Sequence, residues 1–298
     1  MLNAAHTKYS VLTASINYGI GVTTSILASI VASVVVATVA YWQRFLTLPA
    51  AIAAATLGGI ILFFGGWDWG VATAGSFFIT ALLSQRHERI AHRARSSENA
   101  GRNLQQVLAN GLVLALLAGV YHSSGENYVG VAAFLGCVGA VAGDTWATTT
   151  EQFSATDPRL LTTGQCVPHG TPGAVSGIGM ALTAIAGLVA CALYLFVAMI
   201  IHGETTAGPV MVTLTIAAIV GAVAGSLFDS YLGAAWQALY KETDGRLTDH
   251  PVADNGSTNS YVRGWRWLSN DLVNFSNSVV GAVSAYFVWF AAGLLGVI

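Results

Sequence analysis

Eight apolar runs of near-membrane length, separated by polar loops, constrain this chain more than any other feature. They cover roughly residues 17–41, 48–66, 69–84, 104–121, 127–148, 173–201, 207–236 and 272–297. Only 9% of the 298 residues are charged, against about 25% in ordinary soluble domains, so the chain is integral to a membrane. Only helices and closed barrels satisfy every backbone group in lipid. The runs are continuous, with none of the alternation of a barrel strand, which leaves helices. The expected fold is all-α: one polytopic helical bundle over residues 1–298 with seven to eight spans. The second and third runs are short and joined by Gly65-Gly66-Trp67-Asp68-Trp69-Gly70. They form either a re-entrant pair or two full crossings, and both leave the sidedness of the remaining loops unchanged.

Charge placement orients the bundle. Eleven of the twelve Lys and Arg residues fall on one side, and the other side keeps only Lys8. The positive-inside rule then places loops 85–103, 149–172 and 237–271 in the cytosol and both termini outside. The basic stretch Arg86, Arg89, Arg93, Arg95 resembles a solvated juxtamembrane helix that sets topology. Residues 244–260 read as a flexible loop. Trp67, Trp69, Trp265 and Trp267 suit an interfacial belt. Cys137, Cys166 and Cys191 have neither pairing nor zinc-ligand spacing.

Carboxylates at the ends of apolar runs are costly unless they face protein or a water-filled cavity. Four helix ends on the cationic side carry polar stripes at helical spacing. They are Asn103, Gln106 and Asn110; Asp144, Thr148 and Glu151; Asp229, Gly233 and Gln237; and Asp271, Asn274 and Ser278. Such a stripe ordinarily bonds to a neighbouring helix. Three acids at matching depth are different, because Asp144, Asp229 and Asp271 would repel one another without a cation among them. Mg²⁺ suits that role, since it takes carboxylate, amide and phosphate oxygens and keeps some waters. Asn274 and Asn110 are suitable neutral companions, and Arg102 and Lys241 are candidate phosphate clamps. The loop from Thr162-Thr163 through Gly170, Thr171 and Gly173 to Ser176 is rich in turn formers, whose amides suit an anion. His169 stands in the same loop without a partner at ligand spacing. No nucleotide-binding P-loop, kinase Asp-Phe-Gly or dinucleotide fingerprint is present.

The motifs have a familiar order. Arg102…Gln106-Val107-Leu108-Ala109-Asn110-Gly111 precedes Gly143-Asp144-Thr145-Trp146-Ala147 and then Thr162-Thr163…Val167-Pro168…Gly170-Thr171…Gly173-Ala174-Val175-Ser176. Gly225-Ser226…Asp229-Ser230…Leu232-Gly233-Ala234 and Asn270-Asp271…Val273-Asn274-Phe275 follow. Over about residues 75–298 the chain resembles the membrane family of plant and cyanobacterial phytyl-phosphate kinases and animal transmembrane protein 19. It is also similar to the CTP-dependent phytol and dolichol kinases. Members usually carry Ser-Glu after Gly-Asp-Thr-Trp-Ala; here Thr148-Thr149 stand there and the next carboxylate is Glu151.

The resemblance implies phosphoryl transfer from a nucleoside triphosphate, CTP foremost, to a prenyl monophosphate. Asp144, Asp229, Asp271, Asn274 and Arg102 would then be catalytic, and Thr162, Thr163, Gly170, Thr171, Gly173, Ser176 and Lys241 would hold the nucleotide with Mg²⁺. Lipid phosphate, nucleotide and membrane lipids are the partners expected, nucleic acid is not, and oligomeric state stays open. An isoprenoid-alcohol kinase is the related alternative, and a cation-coupled secondary transporter is the unrelated one.

Overall fold

In the computed structural model, residues 23–91, 101–125, 127–151, 157–203, 207–243, 245, 247–253 and 256–298 are described, with the backbone alone for 87–91, 151 and 202. Among them are seven helices long and apolar enough to cross a membrane: α1 (Thr23–Trp42), α2 (Leu48–Ala91), α3 (Leu104–Ser123), α4 (Tyr128–Glu151), α5 (Gly177–His202), α6 (Gly208–Ala235) and α7 (Asn270–Leu294). Lys8 and the side chains of Arg89, Arg93, Arg95, Glu151 and Arg246 lie outside the described residues.

Helix α2 accounts for the eighth apolar run. A straight helix of 44 residues would be about 66 Å long at 1.5 Å per residue. Instead Ala50 and Ala51, near its start, share one buried cluster with Ala81, near its end. The chain reverses at Gly66, whose φ of 87° and ψ of −176° are not helical. A residue with a Cβ rarely adopts that φ, which explains a glycine at the turn. The result is a helical hairpin with a first arm of residues 48–65 and a second from 67 onward. Trp69, on the second arm, is not an interfacial residue: it is fully buried and stacks on Phe134 with centroids 3.9 Å apart.

Helix α4 is the axis of the bundle. Its most apolar stretch is 72% buried, where the other spans reach at most 44%, and it packs against α2, α3, α5, α6 and α7. Small residues bring its neighbours close, with Gly136 facing Ala285 and the Gly281 carbonyl on α7.

The polar connections are more structured than an all-α fold requires. Strands β1 (Arg159–Leu160) and β2 (Ala174–Val175) pair antiparallel. Beyond α6, β3 (Leu239–Lys241) lies between β4 (Leu247–Thr248) and β5 (Ser260–Arg263). Within the segment expected to be a flexible loop, residues 244–260, Leu247–Thr248 and Ser260 join this small sheet and Val252 bridges Thr258. The register of the sheet is pinned by Tyr240 opposite Thr248 on one side and Tyr261 on the other.

Candidate functional site

The site lies at the end of the bundle where α2 finishes, α3, α5 and α7 begin, and α4 and α6 finish. The start of α3 is fixed first. Asn103 and Gln106 form a reciprocal capping box, each side chain bonded to the other's backbone N–H at 3.0 Å. This is why two members of the first polar stripe are occupied structurally; the third, Asn110, faces inward and lines a cavity. Residues 101–102 pair with the strap between α1 and α2: the Arg102 N–H donates to the Phe45 carbonyl at 2.8 Å, and the Thr47 N–H to the Arg102 carbonyl at 3.1 Å. A Cβ on Gly101 would strike the Phe45 carbonyl group.

Held in this way, the Arg102 side chain reaches α4. Its Nη2 donates to Thr145 Oγ1 at 3.3 Å, and Cζ lies 5.7 Å from the centre of the Phe77 ring. Burial lowers the pKa of the guanidinium, and the Asp144 carboxylate opposes that effect. Asp144 is within electrostatic reach of both Arg102 and Asp229. Asp229 Oδ2 is buried and has no hydrogen-bond partner.

Asp271 does not join this pair. Its charged neighbours are Asp249 and His250 in the connection before β5. Among the described residues no three His, Cys, Asp or Glu side chains are grouped closely enough to hold a metal ion. The reason is depth. Asp144 and Asp229 stand seven and six residues inside the ends of α4 and α6, roughly 10 Å at the helical rise. Asp271 is in the first turn of α7, where a carboxylate complements the helix dipole.

At the deeper level α7 supplies amides instead. Asn277 is buried, its Nδ2 donating to the Ala140 carbonyl at 3.3 Å, and its Oδ1 is unpartnered. That Oδ1 occupies the space a Cβ on Gly225 would need. Ala140 and Gly225 each precede a carboxylate, Asp144 and Asp229, by one helical turn. Asn274, three residues before Asn277 on the same face, is therefore level with the carboxylate pair. Asn277 was the residue that sequence reasoning missed. A second amide one turn below Asn274 in an apolar run was the available signal. Ser278, by contrast, is a packing residue, buried with its Oγ donating to the Asn274 carbonyl at 3.0 Å.

The loop between α4 and α5 folds over this end of the bundle. Gly173, with φ of +82°, lies against the backbone of Ala234, and any Cβ there would overlap the Ala234 nitrogen. On the other side Thr183 Oγ1 donates to the Gly143 carbonyl at 3.2 Å, so the start of α5 rests beside the Asp144 turn. Thr171 Oγ1 donates to the Pro168 carbonyl, Thr163 Oγ1 accepts from the Gln165 N–H, and Ser176 Oγ caps α5 by accepting from the Gly179 N–H at 3.1 Å. Thr162, Thr163 and Gly170 are exposed. His169 faces Asp157 at 4.0 Å. Lys241 is exposed on β3, while Arg263 turns inward and donates to the Ala234 carbonyl at 2.6 Å, closing the end of α6. Thr148 Oγ1 is engaged with the backbone carbonyls of Asp144 and Thr145.

Comparison with known proteins places this arrangement in a family. Residues 31–282 match the family described as "Integral membrane protein DUF92". The chain belongs to that family. The matched region includes α1 and the hairpin as well as the motif-bearing helices. The chain is 27% identical over 212 residues to an uncharacterized membrane protein of Methanocaldococcus jannaschii, covering 71% of this chain and 83% of that one. It is 26% identical over 268 residues to the protein named PGR of Arabidopsis thaliana, covering 84% and 91%. No solved structure matches the chain.

Proposed function

We propose that this DUF92 protein is a prenyl-phosphate kinase, transferring the γ-phosphoryl group of a nucleoside triphosphate, CTP foremost, to an isoprenoid monophosphate such as phytyl phosphate. The observation that carries the reading is the Asp144–Asp229 pair, with a buried, unpartnered Asp229 oxygen and the Arg102 guanidinium beside it. Two half-buried acids within reach of each other call for a cation. They fit Mg²⁺, which is held by one or two carboxylates together with substrate phosphates and waters and needs no all-protein cage. Asp144 and Asp229 would hold it, and when bound it neutralises charge on the transferring phosphoryl group.

The remaining parts are positional. Arg102 binds the lipid phosphate, and the 162–176 loop at the start of α5 receives the nucleotide phosphates. Asn274, at the level of the two acids, would offer a neutral amide oxygen beside them. An acceptor phosphate oxygen is already nucleophilic, so alignment and charge neutralisation suffice and no strong general base is required. The cation excess at this end of the bundle supports a cytosolic site, where a soluble nucleotide is available.

The test is purified protein with Mg²⁺, each of four labelled nucleotides, and phytyl and geranylgeranyl alcohols and monophosphates, with products separated by chromatography. A labelled prenyl diphosphate is expected. Label in the monophosphate from the alcohol would convert the assignment to an alcohol kinase, and no transfer from any nucleotide would overturn it.

A further inference from the structure

Below Arg102 a partly open cavity of about 220 Å³ lies between α1, the two arms of α2, α3 and α4. Apart from small hydroxyls and Asn110, its wall is apolar and built from small and branched side chains such as Val36, Ala54, Leu57, Ala74 and Val107. It extends from Phe77 and Leu46 at the site end to Trp67 and Gly70 at the turn of the hairpin. Between Trp67 and Thr80 the helical rise spans roughly 20 Å. The upper end stops one side chain short of the site: the ring centre of Phe77 on the wall lies 5.7 Å from the Arg102 guanidinium carbon, and Val141 on the wall is one turn from Thr145, which accepts from Arg102.

We propose that this cavity holds the hydrocarbon tail of the lipid acceptor: a single linear isoprenoid of about diterpenoid length, its phosphate at Arg102 and its last isoprene unit at the hairpin turn. The inference rests on the prenyl-phosphate reading for its headgroup and adds the site and size of the tail. An elongated apolar slot with a cation just beyond one end matches an amphiphile with one chain and one anionic group. A two-chain phospholipid would leave its second chain outside, and a sugar or nucleotide would find too few polar partners along the wall.

Photocross-linking of the unaltered protein in nanodiscs tests this without requiring turnover. The probe is geranylgeranyl monophosphate carrying a diazirine at the far end of its tail, with no nucleotide present. Labelled peptides are expected to map to residues 61–71, at the hairpin turn, and excess unlabelled geranylgeranyl monophosphate should reduce the labelling at least tenfold. Ala74→Phe, which narrows the slot, should move the label toward the site end. Labelling confined to lipid-facing residues such as Leu116 or Ile200, insensitive to competitor, would overturn the proposal. So would equal competition by phosphatidic acid, which would make the cavity an ordinary acyl slot. Hairpin labelling without phosphoryl transfer from any nucleotide would uphold the tail site and overturn the kinase reading. Transfer without hairpin labelling would do the reverse.

Discussion

Arg102 and Thr145 are joined by a hydrogen bond of 3.3 Å from the guanidinium Nη2 to the hydroxyl, which links the start of α3 to the residue next to Asp144. A headgroup anchor would face lipid and carry no such contact. Arg102→Ala is expected to raise the lipid KM about 10- to 150-fold with little change in kcat, the value of one charged hydrogen bond. Arg102→Lys should also impair, because the planar fork is lost while the charge remains. Full activity of Arg102→Lys at sub-saturating lipid would return this residue to a topological role.

The acids should not be equivalent. Asp144→Asn and Asp229→Asn keep side-chain shape and remove the charge, and each is expected to abolish turnover in a protein that still folds. Asp271→Asn, remote from the pair and beside Asp249 and His250, should retain most activity, whereas Asn274→Ala should cost more than Asp271→Asn. Initial rates across a Mg²⁺ titration separate these cases. Equal loss from Asp271→Asn and Asp229→Asn would restore a three-carboxylate centre.

Two glycines of one loop make a matched pair. Gly170 and Gly173 both have positive φ, but only Gly173 is packed against Ala234, while Gly170 faces open space. Gly170→Ala is expected to cost about 1 kcal/mol of backbone strain. Gly173→Ala adds a steric clash with α6 and should lower the melting temperature further and raise the nucleotide KM. Thermal unfolding in detergent, with nucleotide kinetics on the same preparations, compares them.

Sidedness can be read from the native thiols. Cys166 is exposed in the 162–176 loop, and Cys137 and Cys191 are buried. An impermeant maleimide should therefore label Cys166 alone, from the cytosolic side. In a Cys166→Ser background, Ser257→Cys should react from that same side and Ser124→Cys from the opposite one. Opposite sidedness of Cys166 and Ser257→Cys would separate the two loops assigned to one site.

The spans and the carboxylate pair were legible in the sequence for the same reason: lipid penalises both a broken apolar run and an unexplained charge. Asp144 and Asp229 declared themselves by standing well inside such runs. The reading failed at Asp271 because helical spacing gives the face of a residue, not its depth or what opposes it. One residue inside a helix end and six inside it look alike when the boundary itself is uncertain. Trp69 was misread on similar grounds, since composition does not reveal that the chain doubles back and buries it on Phe134. The strands β1 to β5 had too few residues for any periodicity to register.

The reversal at Gly66 has a consequence for the whole chain, because it sets the parity of the crossings. Seven uninterrupted helices would deliver the start of α1 and the end of α7 to opposite faces. With α2 folded back on itself the count becomes even, and both emerge on the face away from Arg102. A single backbone conformation thus decides from which face of the bundle any segment or fusion attached after α7 departs, and it sets both the start of α1 and the end of α7 opposite Arg102.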